Sequence, residues 1–409
     1  MADTKTYAYV ARDAGGKVVK GKIEAPNESQ VVHRLRGMGI SPVSIDESTG
    51  GTGLQREITI PGFGQRVKLK DLAVASRQMA TMLGSGLSLL RALTILAQQT
   101  ENKKLGEVLG RVRSDVEAGS ALSAALQKYP LVFPRLMIHL IRAGETGGFL
   151  DGALESIATN FESDVKLRQT IKSALTYPIA VLGMAALAVI GMMIFIVPVF
   201  KGMFEDFDSE LPAPTQFLVT ASENMYWIVP VLVIGTTTGV VWWRKNKHKD
   251  AVRSRIDPLV LKMPVFGDLF RKVAIARFSR NFATMMAAGV PILQSLAIVG
   301  ETSGNWVIEE ALRKVQESVR TGNSISAPLA KEAVFPAMVT QMVAVGEDAG
   351  SLETMLAKVA DFYEEEVQST AESLTSLIEP LMIGVIGAVI GGMIVALYMP
   401  VFSIFNEIS

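Results

Sequence analysis

From residue 69 onward the apolar positions return every three to four residues. Met79, Met82 and Leu83 lead to Leu89, Leu90, Leu93, Leu96 and Ala97, then to Leu105, Val108, Leu109, Val112 and Val116, and later to Leu150, Leu154, Ile157, Ala158, Phe161 and Val165. This spacing predicts helices that each bury one face. Breaks at Gly86, Gly119, Pro130, Pro134 and Gly147-Gly148 divide the stretch into about six of them, enough for a compact bundle. Three runs then lose the period and all charge: Pro178 to Pro198, Tyr226 to Trp243 and Pro380 to Pro400. Each approaches the ~20 residues that cross a bilayer, and aromatics bound the second where interfacial belts lie. They predict three transmembrane helices.

The first 46 residues follow a different rhythm. Tyr7, Tyr9 and Ala11 alternate on one strand face, Asp13 to Gly16 reads as a turn, and Val18 to Glu24 resumes extended structure. Asn27 followed by Gln30 reads as a capping box for a helix that presents Val31, Val32 and Leu35 and stops near Gly37, before a last strand from Ile40 to Ile45. A domain this small has a thin core and needs a neighbour. Residues 47–66, rich in Gly, Thr and Ser, read as a linker.

The main stretch is written twice. Ala143-Gly-Glu-Thr-Gly-Gly-Phe-Leu150, a long helix, Tyr177-Pro178, an uncharged run and Val197-Pro198-Val-Phe200 return as Val345-Gly-Glu-Asp-Ala-Gly-Ser-Leu352, a long helix, Glu379-Pro380, an uncharged run and Met399-Pro400-Val-Phe402. Gly144 to Gly346, Pro178 to Pro380 and Pro198 to Pro400 are each 202 positions apart, and the match of Ser76 to Gly86 with Ser279 to Gly289 is offset by 203. A unit of about 130 residues exceeds solenoid periods and marks a duplicated domain.

The expected fold is therefore a mainly α-helical integral membrane protein, with two duplicated cytoplasmic helical bundles, three transmembrane helices and a small N-terminal α+β domain. Its divisions are 1–46 for the N-terminal domain, 47–66 for the linker, 67–172 for the first bundle and 173–200 for the first span. An external loop at 201–225, the second span at 226–243 and a basic cytoplasmic connector at 244–270 follow. The second bundle at 271–374, the third span at 375–402 and an external tail at 403–409 complete the chain.

Forty basic and forty acidic residues cancel, so no global field points to nucleic acid. The local charges set orientation. Arg244, Lys245, Lys247, Lys249, Arg253 and Arg255 after Trp243 mark the cytoplasmic side. Between Lys201 and Asn224 one basic residue stands among Glu205, Asp206, Asp208, Glu210 and Glu223, which places that segment outside. A start at Met1 without an apolar run behind basic residues gives no signal peptide and keeps the N-terminus in the cytoplasm. Two bundles, each followed by an outward span, share one side of the membrane only if a return helix lies between them. Tyr226 to Trp243 supplies it, so the duplication is parallel.

Candidate chemistry is sparse. The chain has no cysteine, and His33, His139 and His248 lie far apart with no second ligand at helical spacing, so they read as packing or surface residues and no metal is expected. Gly15-Gly-Lys17 lacks the surroundings of a phosphate loop, no hydrolase or zincin motif occurs, and no cofactor is implied. The spans carry no ionisable group, which argues against an ion-coupled pump. Gly387 and Gly391 form a small-xxx-small pair that permits close helix approach. Glu145 and Glu347 recur beside Gly144 and Gly346; the simpler reading is a helix ending at glycine with the carboxylate capping the next helix, and the functional one a carboxylate that meets a partner or a cation. Asp361, Glu364, Glu365 and Glu366 read as a solvated face that is able to dock a basic partner.

The twin bundles, the G-E-x-x-G blocks, Pro178, Pro198, Pro380 and Pro400 around the spans and the trailing P-V-F resemble the inner-membrane platform proteins of type IV pili and type II secretion, the PilC and F-protein family. Tyr7 to Lys17 and Gly39-Ile-Ser-Pro42 are similar to its leading segment. The resemblance implies a non-enzymatic, oligomeric scaffold in the bacterial inner membrane that couples a cytoplasmic secretion ATPase to insertion or extraction of pilin or pseudopilin, beside other inner-membrane assembly proteins. Glu145, Glu347, Arg244 and Lys245 are candidate partner contacts. A secondary transporter, or a signalling scaffold that binds through the loop from Phe204 to Pro214, are the alternatives from other classes.

Overall fold

A computed structural model of the protein describes residues 5–12, 18–25, 28–37, 41–47, 66–205, 212–247 and 249–407. The turn at Asp13 to Gly16, the cap at Asn27, most of the linker, Asp206, Asp208 and Glu210, and His248 lie outside them. The chain forms two compact units, Met1–Gly64 and Gln65–Ser409.

In the first unit, strands β1 (Lys5–Arg12), β2 (Val18–Ala25) and β3 (Ser41–Glu47) form an antiparallel sheet of order β2-β1-β3, with helix α1 (Glu28–Gly37) between β2 and β3. The register of β1 on β3 shifts between Val10 and Ala11. Tyr7, Ala25, Val31 and Leu35 are buried together. Glu47, read as the first linker residue, closes β3.

The second unit is helical. Helices α2 (Leu69–Gly84), α3 (Leu89–Gln99), α4 (Lys103–Glu117), α5 (Leu122–Gln127) and α6 (Arg135–Gly147) precede α7 (Leu150–Gly191). The boundary expected between bundle and span near 172 is no boundary: α7 is one rod of 42 residues that carries Pro178 inside it. It passes into a π turn at Met192–Ile196 and ends as α8 (Val197–Glu205).

Two connectors also differ from expectation. The segment expected as an external loop contains α9 (Ala213–Glu223), whose Thr215, Val219 and Ser222 are buried at i, i+4 and i+7. The segment reads as acidic loop because its charges cluster outside this stripe. After α10 (Met225–Asn246), the basic connector folds as α11 (Asp250–Lys262), because Arg253 reaches Glu309 at 2.8 Å and Asp257 accepts the Trp306 amide at 2.7 Å.

The second repeat follows as α12 (Phe266–Ala287), α13 (Ile292–Thr302), α14 (Trp306–Arg320), α15 (Ser326–Leu329), α16 (Ala337–Asp348) and α17 (Leu352–Glu407). The last is a rod of 56 residues with Pro380 and Pro400 inside it, so the residues expected as a tail continue the helix to Glu407.

The repeats share one hydrophobic core, because α2 packs along α7, α12 along α17, and α7 also meets α12 and α17. Phe278 stacks within 5.8 Å of Phe282 and 5.1 Å of Phe335. Between the repeats, the buried Asn160 donates to Asn281 at 2.9 Å and Arg277 reaches Asp164 at 2.9 Å. Such polar pairs orient an apolar seam that would otherwise slide. Burial holds the Arg277 pKa below its usual value, against the pull of Asp164.

Candidate functional site

Each half of the recurring Gly-Glu pair has its own task. Gly144 lies within α6, not at its end, and a Cβ there would stand 2.6 Å from the Ala153 Cβ and 3.1 Å from the Leu150 Cα. Gly346 lies within α16 in the same way, 2.9 Å from the Leu352 Cα. These glycines let each helix cross the start of the rod that follows. The turns themselves fall to Gly148 at φ 73° and Gly350 at φ 65°, where left-handed backbone favours glycine.

The carboxylates reach backward, not forward as expected. Glu145 accepts from the amides of Leu122 and Ser123 at the start of α5, and Glu347 from the amides of Ile325 at 2.7 Å and Ser326 at 3.2 Å and from the Ser326 hydroxyl at 2.9 Å. A carboxylate here satisfies two amides and complements the helix dipole. The acidic run is likewise spent within the fold. Asp361 and Glu364 bind Arg280, and Glu366 binds Lys272, leaving Glu365 as the solvated member. Arg77 binds Glu162 in the equivalent place of the first repeat.

Three helices are long and apolar enough to cross a membrane, within Leu150–Met203, Met225–Asn246 and Leu352–Pro400. They expose large apolar side chains: Leu187 is 70% and Trp227 77% exposed. Water does not tolerate so wide a surface of this kind, whereas lipid does. Helix α10 buries no residue, and Arg244 and Lys245 sit exposed in its last turn. Nothing lies within 4 Å of a Cβ at Gly387 or Gly391, so their close-approach face is open within the chain.

The prolines expected to bracket the spans lie within helices, and each deletes a backbone donor. Pro400 leaves the carbonyl of Ala396 without its i+4 amide, and the Thr215 hydroxyl donates to it. In the π turn, the Val197 amide donates to Met192 five residues back, so the next bond in that register would need an amide from Pro198. The Ser222 hydroxyl donates instead to the stranded carbonyl of Met193. At the other end of the rods, Pro178 releases the carbonyl of Ala174, and the Thr375 hydroxyl approaches it at 3.5 Å. Helix α9 thus ties the ends of both rods together, over a small core of Met193, Val197, Val219, Met393 and Leu397.

A groove of about 820 Å³ opens between α2, α7 and α17. Lys70, Arg77, Lys166 and Glu162 line one part of it, and Ser173, Ala174, Ala371 and Thr375 another. Among the described residues, no group of three or more His, Asp or Glu side chains is placed to hold a metal ion. His139 pairs with Gln294 at 2.8 Å.

Comparison with known proteins agrees with the duplication. The family model described as type II secretion system (T2SS), protein F, matches residues 75–198 and again 278–400, and that of its N-terminal domain matches residues 1–46. A type IV pilus assembly protein PilC of Thermus thermophilus is 43% identical over 98% of this chain and 99% of its own length. A PilC of Myxococcus xanthus is 40% identical over 99% of the chain and 96% of its own length. A type II secretion system protein F of Xanthomonas campestris is 31% identical over 98% of the chain and 99% of its own length. This chain belongs to the type II secretion protein F family, which includes the type IV pilus assembly proteins PilC.

Proposed function

We propose that the protein is the inner-membrane platform of a type IV pilus or type II secretion machine, coupling a cytoplasmic ATPase to the insertion or extraction of pilin or pseudopilin. The observation that carries this reading is the match of nearly the whole chain to relatives named for pilus assembly and secretion, in a protein with three membrane-length apolar helices. The N-terminal unit and both bundles lie in the cytoplasm, with α9 outside. Continuous rods suit such a role, since α7 and α17 run without a break in the helix from the packing partners α2 and α12 into their apolar segments. Uncharged spans suit an apolar helical cargo.

Arg244 and Lys245, exposed and without a carboxylate partner among the described residues, are the candidate contacts for the ATPase or another assembly protein. Glu145 and Glu347 contribute by holding the short helices α5 and α15 in place. The open face at Gly387 and Gly391 suits contact between protomers of a homo-oligomer.

Two experiments test the reading. The chain has no cysteine, so single-cysteine variants report topology directly. A membrane-impermeant maleimide added outside spheroplasts should label Phe217→Cys and spare Arg255→Cys; the reverse pattern refutes the orientation. Photo-crosslinkers at Leu187 and Val389, equivalent exposed positions of the two repeats, should capture a pilin-like protein. Capture of lipid and self alone would remove cargo guidance from these helices.

A further inference from the structure

We infer that the groove between α2, α7 and α17 seats one anionic phospholipid, its phosphate between Lys70 and Lys166 and its acyl chains along the wall that leads into the apolar segments. The inference rests on the membrane reading of α7 and α17.

Location is the first argument. Arg77 meets both Glu155 and Glu162, and Lys70, two turns before it on α2, lines the same groove as Gln169 and Ser173. The chain of α2 therefore runs against α7, and its first turn stands where α7 loses its charges. Ser173, Ala174 and Thr375 line the groove at the threshold of the uncharged stretches. A ligand lying in it would have one end in the interfacial layer and the other against hydrocarbon.

The distribution of charge is the second. Lys70 and Lys166 are exposed and have no carboxylate partner among the described residues. Glu162 is occupied by Arg77, and Glu372, which accepts from the neutral Gln368 at 3.2 Å, keeps its charge on the α17 side, so the two lysines face one unspent carboxylate across the groove and remain in excess. Beside them the surface is apolar, with Val74 48% exposed over the buried Ala73 and Ala371. Cations at the membrane surface next to an apolar recess suit the headgroups of acidic lipids.

The duplication supplies the third. Val273 and Gln368 stand in the second repeat where Lys70 and Lys166 stand in the first, and Arg277 stands in place of Val74. Arg277 is spent on Asp164 across the repeat interface, so the equivalent space is closed by the protein itself. Only the first repeat combines an open wall with free lysines.

The test uses the full chain purified from membranes containing phosphatidylglycerol and cardiolipin, followed by native mass spectrometry during stepwise delipidation. Wild type should retain an acidic lipid, and the double variant Lys70→Glu/Lys166→Glu should retain about tenfold less or none, in keeping with the pull of each surface cation on acidic lipid. Lys104→Glu on α4 should behave as wild type, and phosphatidylcholine should be lost early from all three. Unfolding temperature is measured alongside to show that the variant is folded. A photo-crosslinker at Val74 in cell membranes should yield a lipid adduct. Equal retention by wild type and double variant, or a protein adduct at Val74, overturns the inference. Labelling of Leu187→Cys by a water-soluble maleimide would show instead that the membrane reading fails; Leu187→Cys shielded with no lipid retained refutes the groove alone.

Discussion

The hydroxyl of Thr215 donates to the carbonyl of Ala396, the acceptor that Pro400 strands by lacking an amide. This relationship makes a specific thermodynamic prediction. Thr215→Val leaves a buried carbonyl unpaired and should destabilise the detergent-solubilised protein by about 1–3 kcal/mol. In a Pro400→Ala background, the restored amide at 400 satisfies the same carbonyl, and the cost of Thr215→Val should fall well below that. The checking measurement is a double-mutant cycle on unfolding. An equal cost in both backgrounds would show that the hydroxyl acts elsewhere.

The Gly-Glu pair predicts a second cycle. Gly144→Ala places a Cβ 2.6 Å from that of Ala153, against backbone that also lies close, and should cost about 1–3 kcal/mol as overpacking. Ala153→Gly should recover part of the loss in the double variant. Gly387→Ala meets nothing within 4 Å and replaces a glycine in the interior of α17, so it should not destabilise the isolated chain. An effect of that substitution on assembly, seen in cells, would therefore report a contact with another chain.

These relationships mark where sequence reading works. The amphipathic helices and the three apolar runs are legible because burial and the bilayer each impose a period or a length on consecutive residues. The duplication is legible because Gly144, Pro178 and Pro198 return as Gly346, Pro380 and Pro400 at constant spacing. What Glu145 binds is not legible, because the amides of Leu122 and Ser123 lie 23 and 22 positions away and backbone donors have no letter. The same holds for Thr215, 181 positions from its acceptor. One signal was available: a proline inside an apolar helix must strand a carbonyl, and the hydroxyls of Thr215 and Ser222, two turns apart in an otherwise mixed segment, are suitable donors. The pairing of Asp361 and Glu364 with Arg280 was hidden for another reason, since an acidic helix face looks the same whether water or an arginine covers it.

The seam between repeats should depend on its buried amide pair. Asn160→Leu removes the donor to Asn281 and leaves the Asn281 oxygen without that partner, for an expected loss of about 1–3 kcal/mol. Hydrogen exchange should rise where α7 meets α12 before it rises where α2 meets α7. Uniform loosening of both contacts would mean that the pair stabilises the fold without holding the seam.

His139 gives the same seam a dependence on pH. Its ring Nδ1 accepts from the side-chain amide nitrogen of Gln294 on α13, while burial first, and then Arg142 and Arg135, hold its pKa below the usual value; Glu301, which faces it from α13 and binds Arg135 at 2.8 Å, opposes them only in part. The folded chain therefore takes up this proton less readily than the unfolded chain. Stability from this residue is complete above the ordinary histidine range near 6.5 and declines as pH falls through it, until the folded form protonates as well. His139→Gln keeps a hydrogen-bonding side chain and removes the titration. The unfolding temperature of wild type should fall more between pH 7.5 and 5.5 than that of His139→Gln, with the two curves converging in slope at higher pH. A steeper fall for the variant would mean that protonated His139 is favoured in the fold, contrary to its surroundings of Arg135 and Arg142.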